Sequence, residues 1–151
     1  MFRYVVIVWA MLAAGLAVFA GYSFFRKKSP EEKIEALRRE VAPSGAVIFQ
    51  AQLGGKQVSF LPKNCEVFVL DPTQDKVKRT KVLKPGFYLG FTACTDQSIK
   101  EEGGYVVAYL ANRAIGAGGG NTSGGTYRTK DGFKWEKKFG GKWLPVEEAQ
   151  A

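Results

Sequence analysis

There is no histidine anywhere in the 151 residues of this chain. That absence removes Ser-His-Asp and Cys-His nucleophilic mechanisms, imidazole-built zinc sites and haem held through histidine. Cysteine is nearly as scarce: Cys65 and Cys94 are too few for a metal cage and are not spaced as a CxxC pair. Acidic residues number 14 against 22 Lys and Arg, a net charge of +8. Several fall in adjacent pairs, Glu31-Glu32, Glu101-Glu102 and Glu147-Glu148, whose polar surroundings suit capping and solubility rather than general acid–base work. These absences point to a non-catalytic protein with no cofactor, leaving Asp, Glu, Lys or Tyr chemistry as a distant third option.

The charge is missing most conspicuously from residues 4–25, twenty-two positions from Tyr4 to Phe25 closed by Arg26, Lys27 and Lys28. At about 1.5 Å per residue, a helix of that length spans the hydrocarbon core of a bilayer. Tyr4, Trp9, Tyr22, Phe24 and Phe25 near its ends suit the interfacial belts. A cleaved signal peptide is the competing reading, with Arg3 as its basic start and Val18-Phe19-Ala20 before Gly21 as its cleavage site. The apolar run exceeds the usual signal core of about 7–15 residues, so a retained single-pass anchor is expected over residues 1–28. Ala13, Ala17 and Gly21 recur every four residues, a small-residue stripe along which another membrane helix can approach closely. Cations near the two ends are Arg3 and the amino terminus on one side, and Arg26, Lys27, Lys28, Lys33, Arg38 and Arg39 on the other. This count favours a cytoplasmic C-terminal domain, with a periplasmic or extracellular one as the alternative.

Residues 29–44 read as an amphipathic helix and linker. Ser29 can accept from exposed backbone donors, Pro30 sits where no donor is needed, and Glu32 completes a capping box. Ile34, Leu37 and Val41 share one face, and the helix stops near Pro43. Such a helix serves either as a partner-binding or membrane-hugging stalk, or as a cover over its own domain.

Residues 45–147 are expected to form a mainly-β domain, an antiparallel meander or small sandwich, followed by a tail at 148–151. Val47, Phe49, Ala51 and Leu53 alternate through a strand over 46–53; Gly54-Gly55 turns the chain, and 56–61 returns with Val58 and Phe60 inward. Apolar strands follow at 66–70 and 87–93, with the basic stretch 76–83 as an edge strand between them. Cys65 and Cys94 border those two runs. Were the runs antiparallel neighbours with Leu70 opposite Leu89, Cys65 would face Cys94 and a disulfide would be feasible; in a cytoplasmic domain both are expected as buried thiols. Residues 105–115 suit a buried strand or a short helix equally. The glycine-rich stretch 116–125 lacks the Gly-Lys-Ser/Thr ending of a phosphate loop and reads as a loop. Asn121-Thr122-Ser123 matches a glycosylation acceptor only formally.

Two further strands are expected at 126–130 and 133–139, joined by Asp131-Gly132, before Gly140-Gly141 leads into Lys142-Trp143-Leu144. Over residues 129–135, Thr-Lys-Asp-Gly-Phe-Lys-Trp is similar to the Asp-box turn of β-propeller proteins, one residue shorter, and the likeness ends there. Tyr127, Arg128, Lys130, Lys134, Trp135, Lys138, Lys142 and Trp143 form the candidate polymer or partner surface. Rings beside cations can stack bases or sugars and hold phosphates, whereas strict alternation would instead bury the rings and wet the lysines. The preferred function is therefore an accessory or assembly subunit that contacts the lipid bilayer and other membrane-protein subunits. The alternative is a tethered binding module for nucleic acid, anionic glycan or anionic lipid.

Overall fold

In a computed structural model, residues 27–86, 92–115 and 121–149 are described. The expected span at 4–25 and its stripe of Ala13, Ala17 and Gly21 lie outside them, and no helix among the described residues is long and apolar enough to cross a membrane.

Ser29 caps helix α1 (Pro30–Val41) with the full capping box: its hydroxyl accepts from Glu32 N at 3.2 Å, and its own N–H donates to Glu32 Oε2 at 2.7 Å. A cap of this kind is worth about 1 kcal/mol. Glu35 pairs with Arg38 and Arg39 on the solvent side, while Ile34, Leu37 and Val41 are buried against Ile48, Leu61 and Leu70. The apolar face of the helix is thus spent on its own domain and not on a stalk. After a single 3₁₀ turn (Ala42–Ser44), the chain enters the first sheet.

That sheet is an antiparallel meander of β1 (Phe49–Leu53), β2 (Lys56–Lys63), β3 (Glu66–Asp71) and β4 (Lys78–Leu83), in spatial order β1-β2-β3-β4. The basic strand is at the edge, as its charges require. β1 starts later than the alternation suggested: Val47 is exposed, and Ile48 turns beneath α1. The two-residue turn at 54–55 places both glycines at positive φ, the geometry that matches strand twist. The next turn does the same with Asn64 and Cys65, at φ 54° and 57°.

The second sheet runs β5 (Thr92–Glu102), β6 (Tyr105–Ala114), β7 (Asn121–Thr129), β8 (Trp135–Phe139) and β9 (Lys142–Pro145), again in sequence order and antiparallel. The one-turn helix α2 (Val146–Ala149) follows. Phe60, Val67, Val69 and Leu83 of the first sheet pack against Val106, Ala108, Leu110, Tyr127 and Trp135 of the second. Both faces of the first sheet are therefore buried, one under the second sheet and one under α1. This explains why Val67, Phe68, Val69 and Leu70 form an unbroken apolar run rather than an alternating one.

Several expectations change. Residues 105–114 are a strand, and the glycine-rich stretch is in part β7, which begins at Asn121. Asp131-Gly132 does not make a two-residue hairpin: Thr129 pairs with Trp135, so the connection is the five residues 130–134. Cys65 and Cys94 are disulfide-bonded, with Cα atoms 5.4 Å apart, but across the two sheets. Leu70 is flanked by Ser59 and Arg79, which fills both sides of β3 and leaves no place for the neighbouring strand that would have set the cysteines opposite each other.

Candidate functional site

Sheet periodicity divides the aromatic residues of the C-terminal meander between two faces. Tyr127 has no exposed surface and Trp135 only 5%; both rings belong to the inter-sheet core, so neither contributes to an outer binding surface. Trp135 meets Phe60 edge-on at 6.3 Å. The Tyr127 hydroxyl and the Trp135 indole N–H are buried with no hydrogen-bond partner among the described residues. Burial pushes the Tyr127 phenol up to about 12, so it stays neutral at any physiological pH.

Arg128, one position along from Tyr127, points the other way. Its guanidinium lies 4.4 Å from the Tyr105 ring centroid and 4.3 Å from that of Trp143, and its Nε donates to Glu136 Oε2 at 2.6 Å. The register explains the assembly. Arg128 faces Val107 on one side and Glu136 on the other, which puts Tyr105 on its own diagonal and Trp143, one strand further on, on the diagonal of Glu136, both within reach of the long side chain. Lys130 lies 4.8 Å from the Tyr105 centroid, and Lys138, paired with Trp143, lies 6.0 Å from its ring. The result is an aromatic and cationic strip across β6, β7, β8 and β9, each ring–cation contact worth about 0.5–2 kcal/mol depending on its desolvation.

Of the residues named from sequence, Arg128, Lys130, Lys138 and Trp143 are brought together here. Lys134 is exposed in the 130–134 loop and Lys142 at the start of β9. Phe133 and Phe139 are also largely exposed. Tyr105 was missed. Its signal was its odd-numbered parity with Val107 and Tyr109, visible only once residues 105–114 are known to be a strand.

The loop beside the strip is held by its own polar groups. Asp131 Oδ1 accepts from Phe133 N and Lys134 N, both at 2.8 Å, and from the Thr129 hydroxyl at 3.1 Å. Partial burial opposes ionisation of Asp131, but the backbone donors and the hydroxyl together outweigh it, and its pKa lies below the ordinary carboxylate value. A carboxylate with a depressed folded pKa contributes stability that is fully present above the unfolded pKa, about 3.9, and lost as pH falls through the lower folded value. Asp131 is exposed and Asn keeps the Oδ1 acceptor, so solvent screening holds the effect down. Asp131→Asn is therefore expected to lower the urea midpoint at pH 7 by the equivalent of about 0.5 kcal/mol or less. The gap from wild type should close as pH falls below about 4; a gap independent of pH would refute an ionic role.

Among the described residues no group of His, Cys, Asp or Glu is arranged to hold a metal ion. In comparisons with known proteins, the chain matches no protein-family model, no curated protein and no solved structure.

Proposed function

We propose that the chain is a single-pass membrane protein acting as a non-catalytic accessory or assembly subunit, with the outer strip of its second sheet as the docking surface for a protein partner. The observation that carries this reading is the clasp of Arg128 between Tyr105 and Trp143. Tyr, Trp and Arg are the side chains most enriched at the centres of protein interfaces, and here they are already ordered before any partner arrives. Glu136 occupies the guanidinium, which leaves it poorly placed to take a phosphate and favours a protein over an anionic polymer.

The anchor at 4–25 supplies the tether. The disulfide argues for holding the domain on the oxidising side of the membrane, because thiols in the cytoplasm are kept reduced. The cation count argues the other way, but folded domains of this size cross largely regardless of charge. Thiol labelling of intact cells with and without permeabilisation distinguishes the two sides.

Trp143→Ala removes one jaw of the clasp at a half-buried site and should leave the fold intact. After extraction in mild detergent, the wild-type chain is expected to migrate in a larger stoichiometric complex, and the variant to lose about tenfold or more of that association. A wild-type chain recovered only as a monomer would overturn the proposal. The polymer alternative rests on Lys130 and Lys138 over the two rings, and requires binding to single-stranded nucleic acid or an anionic glycan that weakens steeply with salt.

A further inference from the structure

The groove between α1 and the chain leading into β4 has a different character from the strip on the second sheet. It has a volume of about 520 Å³, and the charged side chains lining it are Lys28, Lys33, Lys76 and Arg79 against Glu40 and Asp75. Two of its features are fixed by contacts. Lys33 Nζ donates to the carbonyls of Pro72 and Gln74, at 3.1 and 2.7 Å, which draws the 72–77 segment over the helix. Asp71 holds the start of that segment: the Thr73 hydroxyl and backbone N–H both donate to its carboxylate, at 2.7 and 2.9 Å. These bonds set Lys76 on an exposed rim beside the N-terminal end of α1.

Position decides what this rim meets. Lys28 lines the groove and stands three residues after Phe25, the last residue of the apolar run. Three residues of extended chain reach about 10 Å at most. If residues 4–25 span the bilayer, the near end of the groove lies within about one Debye length of the lipid headgroups. Glu40 and Arg79 neutralise each other at 3.1 Å, which leaves Lys28, Lys33 and Lys76 against Asp75, a net positive rim attracted to anionic lipid in whichever leaflet the domain faces. The small exposed loop 72–77 carries no large apolar side chain that would call for a protein partner instead: Val77 is partly buried against the α1 side of the first sheet.

We infer that the α1–β4 groove is a binding site for anionic lipid headgroups, which holds the sandwich flat against the membrane and fixes the direction in which the Arg128 strip faces. This rests on the anchoring part of the proposed function. The Arg128 strip lies on the outer face of the second sheet, whereas α1 covers the opposite side of the first, so a groove resting on lipid presents the strip away from the bilayer.

The test uses the full chain in nanodiscs of phosphatidylcholine alone or with phosphatidylglycerol, read by the rate of lysine acetylation at each site. Lys76 is expected to react about fivefold more slowly in the anionic discs. Lys134 and Lys142, across the sandwich, should react equally in both. Lys76→Glu, at an exposed position, is expected to reduce the protection of Lys28 by anionic lipid. Equal labelling of Lys76 in the two discs, with the chain firmly embedded, would overturn the lipid site alone. A chain that washes out of the discs in alkaline carbonate would overturn the anchor and the site together.

Discussion

Replacing Cys65 and Cys94 together by alanine is expected to lower the unfolding free energy by about 3.5 kcal/mol. The bridge closes a sequence separation of 29 residues, and the loop entropy it removes from the unfolded chain sets that magnitude. Its position makes the effect felt across the whole sandwich. Cys65 sits in the β2–β3 turn and Cys94 on β5, so the bond ties covalently together two sheets that meet mainly through side-chain packing. The turn leans on the second sheet in a further way, since Cys65 N–H donates to the Gln97 side chain at 3.0 Å. Urea unfolding of the full chain, followed through the buried Trp135, gives the measurement. Wild type in strong reductant should coincide with the double alanine variant. A loss below about 1 kcal/mol in both would mean that the unfolded chain keeps the two cysteines close without the bond. The same number bears on location: in a reducing compartment the domain would live permanently without this contribution.

How far the sequence disclosed this architecture depended on whether a segment's signal was local. The helix at 30–41 was readable in its start and approximate length because its cap, its proline and its apolar spacing all lie within the segment. The Gly54-Gly55 and Gly140-Gly141 hairpins were readable for the same reason. β5 was not. As an edge strand it is mostly exposed, and between Cys94 and Glu102 only Ile99 offers an aliphatic side chain to the core, so it carries little alternation to detect. The connection after Thr129 looked like a tight turn because Asp-Gly is the usual hairpin pair. Here Asp131 instead collects three hydrogen bonds from within a wider loop. Two of the three residues of the clasp were legible, Arg128 and Trp143, which lie in one continuous meander. Tyr105 comes from a strand 23 positions upstream, and only the β6–β7 register reveals that it belongs beside them.

The glycine-rich stretch was the most misleading segment, and it yields the sharpest expected loss. Gly124→Ala should cost about 4 kcal/mol or more, a large share of the roughly 5–15 kcal/mol that holds a domain folded. Glycines this dense usually mark a loop, yet Gly124 and Gly125 lie within β7, paired with Ala111 and Leu110 of β6. A Cβ on Gly124 would stand 2.2 Å from the Leu110 carbonyl oxygen and 3.2 Å from the Ala111 Cα, both backbone atoms that cannot step aside without breaking the β6–β7 ladder. The residue also holds φ at +118°, a conformation that L side chains rarely adopt. Gly125 is the internal control. Its φ of +128° imposes similar strain, but an added Cβ there meets only the flexible end of Lys137 at 3.4 Å. Gly125→Ala is therefore expected to lose about 1–3 kcal/mol, the strain alone. Comparing the two variants by thermal unfolding separates backbone conformation from backbone collision. Equal losses would mean that β6 and β7 part at this point at little cost. The glycines would then serve only φ, and the close approach of the two strands would not be what β7 requires of its sequence.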